Sequence, residues 1–190
     1  MFHSARILLR LSIAALVVFA PVDGSARSFT DPSIDSEHLH ASMARMESFR
    51  REAPDGAEGI AYSVSSRDAL RYLATLMQDA GMMTHIDVAG NLIGRHQGRQ
   101  SLPPLVLGSH IDTVTNGAYC SHSAGAIAAI EIASTLHEEG LVLEHPLEII
   151  IWSNSESGTS GSRSINGSIE ARAMQQPGPG GRTIGEGIAF

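Results

Sequence analysis

The sequence contains no lysine: all 13 of its basic residues are arginines, set against 20 acidic residues for a net charge of -7. The arginines form no basic run. A phosphate-rich partner is recognised by clustered cations, so nucleic acid is excluded as a partner. Cysteine is nearly missing too. Cys120 stands alone, so no internal disulfide can form, and with no Cys-His motif around it the thiol reads as a small apolar filler. No internal repeat is visible, and past the N-terminus no apolar run is long enough to cross a bilayer. What remains is ordinary globular composition, 43% hydrophobic and 17% charged over 190 residues, enough for one domain with a real core.

The N-terminus has the pattern of an export signal. Arg6 and Arg10 supply a positive region, 11–22 is apolar apart from Ser12 and Pro21, and Gly24-Ser25-Ala26 offers small residues for cleavage. Residues 1–26 are therefore expected to be a signal peptide, which implies a secreted or periplasmic protein with no membrane contact after cleavage. Residues 27–33 read as a linker.

Beyond it, Ile34, Leu39, Met43, Met46 and Phe49 recur at helical spacing, which predicts an amphipathic helix over 35–51. Pro54, Gly56 and Gly59 mark a loop. A second helix is expected to start at Ser65 or Ser66 as N-cap, to bury Leu70, Leu73, Leu76, Met77 and Ala80, and to end at Gly81. Met83–Val88 and Asn91–Arg95, joined by Ala89-Gly90, read as paired strands. The apolar run 104–109 reads as a strand buried on both faces, 124–139 as a helix closed by Gly140, and 147–152 as another buried strand. Strand, helix, strand predicts an α/β fold with a mostly parallel sheet flanked by helices. After Ser153 the chain turns Ser- and Gly-rich, with a weak helical pattern only at 169–174.

Two strand ends carry residues that could do chemistry. His110 and Asp112 follow the first apolar run, and Ser153-Asn154-Ser155-Glu156 follows the second. Ligands gather at the carboxyl ends of strands in open α/β sheets. There an imidazole can bind a metal while a neighbouring carboxylate orients it, and Glu156 could be a ligand or a general base. A His-x-Asp pair is equally compatible with a hydrogen-bonded structural pair, and a Glu beyond a strand with a solvated loop.

The stretch Val106-Leu107-Gly108-Ser109-His110-Ile111-Asp112-Thr113-Val114, followed by Asn116-Gly117 and Gly125, resembles the metal-site segment of the amidase, hydantoinase and carbamoylase group of zinc-dependent, peptidase-like hydrolases. The 87–95 hairpin, Ala61-Tyr62-Ser63 and the segment 182–188 resemble that group too, so the likeness spans nearly all of 34–190. It implies the N-terminal half of a zinc-peptidase-like catalytic domain. The implied reaction is hydrolysis of a non-peptide C–N bond in a small linear amide, such as an N-carbamoyl amino acid or allantoate. It implies two zinc ions, with His110 a ligand of one and Asp112 the carboxylate that supports this histidine. In such enzymes a bridging aspartate touches both metals, and an Asn-Glu-Glu segment supplies first the general base and then a zinc ligand. Here the bridging position holds Ser121 and the base position holds Ser155, while Glu156 occupies the ligand position. A neutral hydroxyl compensates two divalent cations poorly and does not titrate near neutral pH, so weak metal binding and little or no activity are expected. His122 offers a nitrogen beside the lost aspartate but could not bridge two ions. Later histidine ligands and a homodimerisation domain, also implied by the resemblance, have no counterpart in this sequence. Residues 34–190 therefore read as a partial catalytic domain, a non-catalytic binding remnant, or the product of a decayed gene.

Overall fold

The structure, a computed structural model, describes residues 33–51, 61–113, 123–178 and 182–189. The signal segment, the linker up to Pro32, the loop at 53–60, and Cys120, Ser121 and His122 lie outside the described residues.

Three helices and four strands make the frame. Helix α1 (Ser36–Arg51) and helix α2 (Val64–Asp79) precede the hairpin β1 (Met83–Ile86) and β2 (Leu92–His96). Strand β3 (Leu105–His110), helix α3 (Ala124–Glu138) and strand β4 (Leu147–Trp152) form the expected crossover. The N-cap of α2 is Ser63 rather than Ser65 or Ser66. Its Oγ accepts the amide of Ser66 at 3.1 Å, meeting one of the donors a helix start leaves open. Gly81 and Gly140 end their helices with φ of +74° and +61°, the left-handed turn for which glycine carries no steric penalty.

The sheet order is β1-β2-β4-β3. Strands β3 and β4 are parallel, in the register Leu105 to Leu147 through His110 to Trp152. The hairpin adds two antiparallel pairings, β1 with β2 and β2 with β4. The α/β class is as expected, but the described sheet is mixed rather than mostly parallel. The reason is local. A five-residue turn at 87–91, in which the Gly90 amide donates to the Asp87 carbonyl at 3.1 Å, returns β2 beside β1, and β2 then docks on β4, so β4 lies between strands of opposite sense.

Alternation within the strands points Leu92, Leu107, Leu147, Ile149 and Ile151 to one core, where they meet Leu73 and Met77 of α2 and Ile127 and Ile130 of α3. Helix α2 packs on β1 and β2, α3 on β3 and β4, and α1 on both helices. One polar group enters this layer. Glu131 of α3, 3% exposed, meets His38 Nδ1 of α1 at 2.7 Å, the partner a buried carboxylate requires. Strand β4, with neighbours on both sides, is buried as expected. Strand β3 is not. It is the edge strand, and Leu105 and Val106 are each 49% exposed within the described residues.

The Ser- and Gly-rich stretch after Ser153 holds more order than its composition indicates. Helix α4 (Ser160–Ile165), a 3-10 turn (Ala171–Gln175) in place of the weak pattern at 169–174, and helix α5 (Ile184–Ala189) are all short. Elements of one or two turns bury too few side chains to leave a readable periodicity.

Candidate metal and amide site

Because His110 pairs in register with Trp152, the chain leaves the sheet at two adjacent points. One exit carries Ile111-Asp112 and the other the turn 153–158. The parallel pairing thus brings His110, Asp112 and Glu156 together although 44 residues separate the last two.

Asp112 is the hinge of the group. Its carboxylate is 3% exposed as a residue, and Oδ2 accepts the backbone amide of Glu156 at 2.9 Å. Its Oδ1 lies 3.4 Å from His110 Nδ1, and Nδ1 also reaches the Asp112 carbonyl at 3.1 Å. A ring that donates from Nδ1 presents the lone pair of Nε2 on its other side. There Nε2 lies 3.6 Å from Glu156 Oε1.

That spacing tests whether the residues fit a metal. Zn–N and Zn–O bonds are roughly 2.0–2.2 Å, so two ligands of one tetrahedral ion sit roughly 3.3–3.6 Å apart. His110 Nε2 and Glu156 Oε1 therefore fit one shared divalent ion. Among the described residues no group of three or more His, Cys, Asp or Glu converges to complete its shell. The structure thus brings together His110, Asp112 and Glu156, and places Ser155 half-buried in the same turn. Ser121 lies outside the described residues.

The turn itself is held by neutral groups that the sequence reading did not single out as site residues. Tyr62 OH bonds to Ser153 Oγ at 3.1 Å and Ser160 Oγ at 3.0 Å. Asn91, buried completely, accepts the amide of Ser153 at 2.9 Å and donates to the Gly161 carbonyl at 3.1 Å. Ser153 Oγ donates to the Ala89 carbonyl at 2.9 Å. Among the described residues, three non-glycine residues have positive φ, and all lie in this network or its turn: Tyr62 (65°), Asn154 (50°) and Thr159 (52°). Backbone outliers of this kind cluster where surrounding contacts fix a functional loop. No local motif announces bonds that span 60 to 100 residues of sequence. The only signal was the pair of resembling segments around Tyr62 and Asn91.

A mixed sheet with candidate ligands at adjacent strand ends is the arrangement expected of the hydrolases that the sequence resembles, and comparison with known proteins agrees. Residues 91–175 match the model of peptidase family M28. The chain is 30% identical over 148 residues to an N-carbamoyl-L-amino acid amidohydrolase of Geobacillus stearothermophilus, covering 75% of this chain and 36% of that protein. It is 30% identical over 153 residues to a ureidoglycolate hydrolase of Arabidopsis thaliana, covering 77% of this chain and 32% of that one. A crystal structure of a hydantoinase/carbamoylase family amidase from Burkholderia ambifaria superposes with a TM-score of 0.74 at 30% identity, over 82% of this chain and 40% of its own. Family model, relatives and solved structure agree in their likeness to the amidase, hydantoinase and carbamoylase group of peptidase-like hydrolases. It spans about a third of the length of the curated relatives it matches.

Proposed function

We propose that this protein derives from an amidohydrolase acting on the C–N bond of a carbamoyl or ureido group, and that the chain now binds a single zinc ion weakly and hydrolyses such amides little or not at all. The observation that carries the reading is the 3.6 Å approach of His110 Nε2 to Glu156 Oε1, a span one ion can bridge.

In this reading His110 and Glu156 hold the ion, which when bound would polarise the amide carbonyl and lower the pKa of a bound water. Asp112 fixes the imidazole and, through the Glu156 amide, the position of the carboxylate. Ser155 stands where a general base would take the proton of water and hand it to the leaving nitrogen. A serine hydroxyl does not do this near neutral pH, and loss of a general base costs about a hundredfold to ten-thousandfold in rate. Ser121 at the bridging position removes the anion that would hold two cations close together. The substrate class, a small linear amide, follows from the relatives' activities. An exported protein cleaved after Ala26 completes the proposal. Mass spectrometry of protein from its native host tests that last point, with Arg27 expected as the first residue and an intact Met1 on soluble protein against it.

The decisive experiment is metal titration of the unmodified chain, of H110A and E156Q, and of the double reversal Ser121→Asp with Ser155→Glu. The single variants should weaken zinc binding, and the double reversal should strengthen it. Identical affinity in all four proteins would place any metal on other residues. Ready turnover of N-carbamoyl amino acids by the unmodified chain would overturn the reading of Ser155.

A further inference from the structure

Helix α4 braces the β4 exit with its first residues. Ser160 Oγ meets Tyr62 OH and Asn154 Nδ2, and the Gly161 carbonyl accepts Asn91 Nδ2. The helix is only six residues long, so whatever closes its far end also holds its start. The close is a Schellman pair. The Gly167 amide donates to the Ser164 carbonyl at 3.1 Å and the Ser168 amide to the Arg163 carbonyl at 2.8 Å. Gly167, at φ +71°, makes the left-handed turn that such a pair requires.

The residue before that glycine is the reactive one. The chain has four asparagines. Asn91 and Asn154 are 0% and 1% exposed and precede Leu92 and Ser155. Asn116 lies outside the described residues. Asn166 is exposed, and a glycine follows it. An asparagine side chain is hydrolysed when the backbone nitrogen of the next residue attacks its Cγ, and a side chain on that next residue hinders the approach. Gly167 has none, and a Cβ placed on it would meet nothing within 4 Å among the described residues, so water reaches the same peptide. Asn166 is also folded onto it. Its Oδ1 accepts the Ser168 amide at 3.0 Å, a ring that spans the Gly167 peptide and keeps Cγ beside it. The obstacle is the bond from the Gly167 amide to Ser164, which opens whenever the last turn of a short exposed helix frays.

We propose that Asn166–Gly167 is a self-modification site, and that its product undoes the close of α4. The Gly167 nitrogen bonds to Asn166 Cγ and the Cγ–Nδ2 bond breaks, so Nδ2 leaves as ammonia with the Gly167 proton. The cyclic imide so formed then takes up water at either carbonyl. Opening on one side gives aspartate with the original main chain. Opening on the other gives isoaspartate, whose main chain runs through Cβ and Cγ and is longer by a carbon. The net change is water in and ammonia out, with no oxidation or reduction. Each Schellman bond is set by the count of backbone atoms between its donor and acceptor, so the longer chain cannot keep both in register. The α-carboxylate freed in isoaspartate also faces the negative end of the helix.

Peptide mapping of the full chain, sampled over weeks at neutral pH, tests the modification. Cleavage at arginine isolates residues 164–172, and the synthetic peptide of that sequence is the reference. Asn166 should convert in the protein within roughly thirtyfold of the peptide's rate, since opening a frayed turn costs little. Labelling by an isoaspartyl methyltransferase identifies the product. The variant N166Q should give no converted peptide over the same interval. Conversion of Asn154 in step with Asn166 overturns the site, as does an intact Asn166 once the protein has been kept for roughly thirty times the peptide's half-life. Hydrogen exchange tests the consequence. In aged wild type the fraction of molecules exchanging fast at 160–168 should equal the isoaspartate fraction, and aged N166Q should match fresh N166Q. Fresh N166D, which adds the charge without the extra carbon, should keep its protection. Unchanged exchange in aged wild type, or an equal loss in fresh N166D, overturns the claim that the longer main chain opens the helix.

Discussion

The two strand ends that meet at the candidate site are built by different means. The exit of β3 is organised by one charged side chain, Asp112, which reaches both the His110 ring and the Glu156 amide. The exit of β4 is organised by neutral hydroxyls and amides: Tyr62, Asn91, Ser153, Asn154 and Ser160 bind one another and the backbone. The difference bears on how a site loses chemistry and keeps shape. Ser155 sits inside the turn at the β4 exit without being one of the groups that brace it. On the proposed function, an acid in place of Ser155 would supply a proton carrier and leave the frame unchanged. An Asp112 substitution, by contrast, would disturb the ligand geometry on both strands at once. The groups that brace the β4 exit and the candidate ligands are here largely separate sets.

If neutral bracing fixes the β4 exit, then crowding it should have the largest effect on the fold. Gly161 is the point to test. A Cβ added there would lie 2.2 Å from Asn91 Oδ1, 2.6 Å from the Ser153 nitrogen and 2.7 Å from the Ser153 carbonyl oxygen. These are the atoms that join the hairpin to the end of β4, and backbone atoms cannot move aside as a side-chain tip does. Gly161→Ala should destabilise the protein by about 2–3 kcal/mol, read as a lower urea midpoint with an unchanged slope. A change under about 0.5 kcal/mol, the size of an ordinary surface substitution, would mean that this junction is not tightly braced.

Removing one bond rather than crowding several should do less. Tyr62→Phe keeps the ring, which lies against Gly187, and deletes the hydroxyl shared by Ser153 and Ser160. The expected loss is about 1 kcal/mol, with faster amide hydrogen exchange in 153–160 than in β4 itself. Zinc affinity should fall with it, because the turn carries Glu156. Equal exchange rates in wild type and variant would show that the bonds of Asn91, Ser153 and Asp112 hold the turn without Tyr62.

Much of this architecture was legible beforehand, and the gaps have physical causes. Helices α1, α2 and α3 and strand β4 announced themselves because each buries a repeated apolar face, as Leu73 and Met77 do. The strand β3 was located correctly but its burial was not, since an apolar run does not reveal whether a strand lies at the edge of its sheet. The mixed sense of the sheet was missed for a related reason: the hairpin's docking on β4 is a long-range choice. In the site, His110, Asp112 and Glu156 could be picked from strand-end position and family likeness. The bracing residues could not, because Tyr62, Asn91 and Ser160 make their defining contacts with residues remote in sequence.

The comparison sharpens when charge is titrated in a part of the molecule that relies on it. On α1, Glu47 is bonded by Arg50 at 2.9 Å and by Arg51 at 3.1 Å. The Arg50 hydrogen bond chiefly, opposed by burial and aided by Arg51, holds the Glu47 carboxyl below the ordinary glutamate range. A depressed folded-state pKa means that the unfolded chain takes up the proton first. The stabilisation is therefore present at neutral pH and is lost as pH falls through the carboxylate range toward the folded value. Glu47→Gln should cost only about 0.3–0.5 kcal/mol at pH 7, the size of helix-surface pairs at this spacing. The gap between wild type and variant should close in acid. Tyr62→Phe, which removes a bond between neutral hydroxyls, should show a cost that does not change over the same range. Melting temperatures of both variants against wild type from pH 7 down to pH 3 make the measurement. A Tyr62→Phe penalty that faded in parallel with that of Glu47→Gln would show that the β4 exit depends on charge after all, and the division between its bracing and that of the β3 exit would fail.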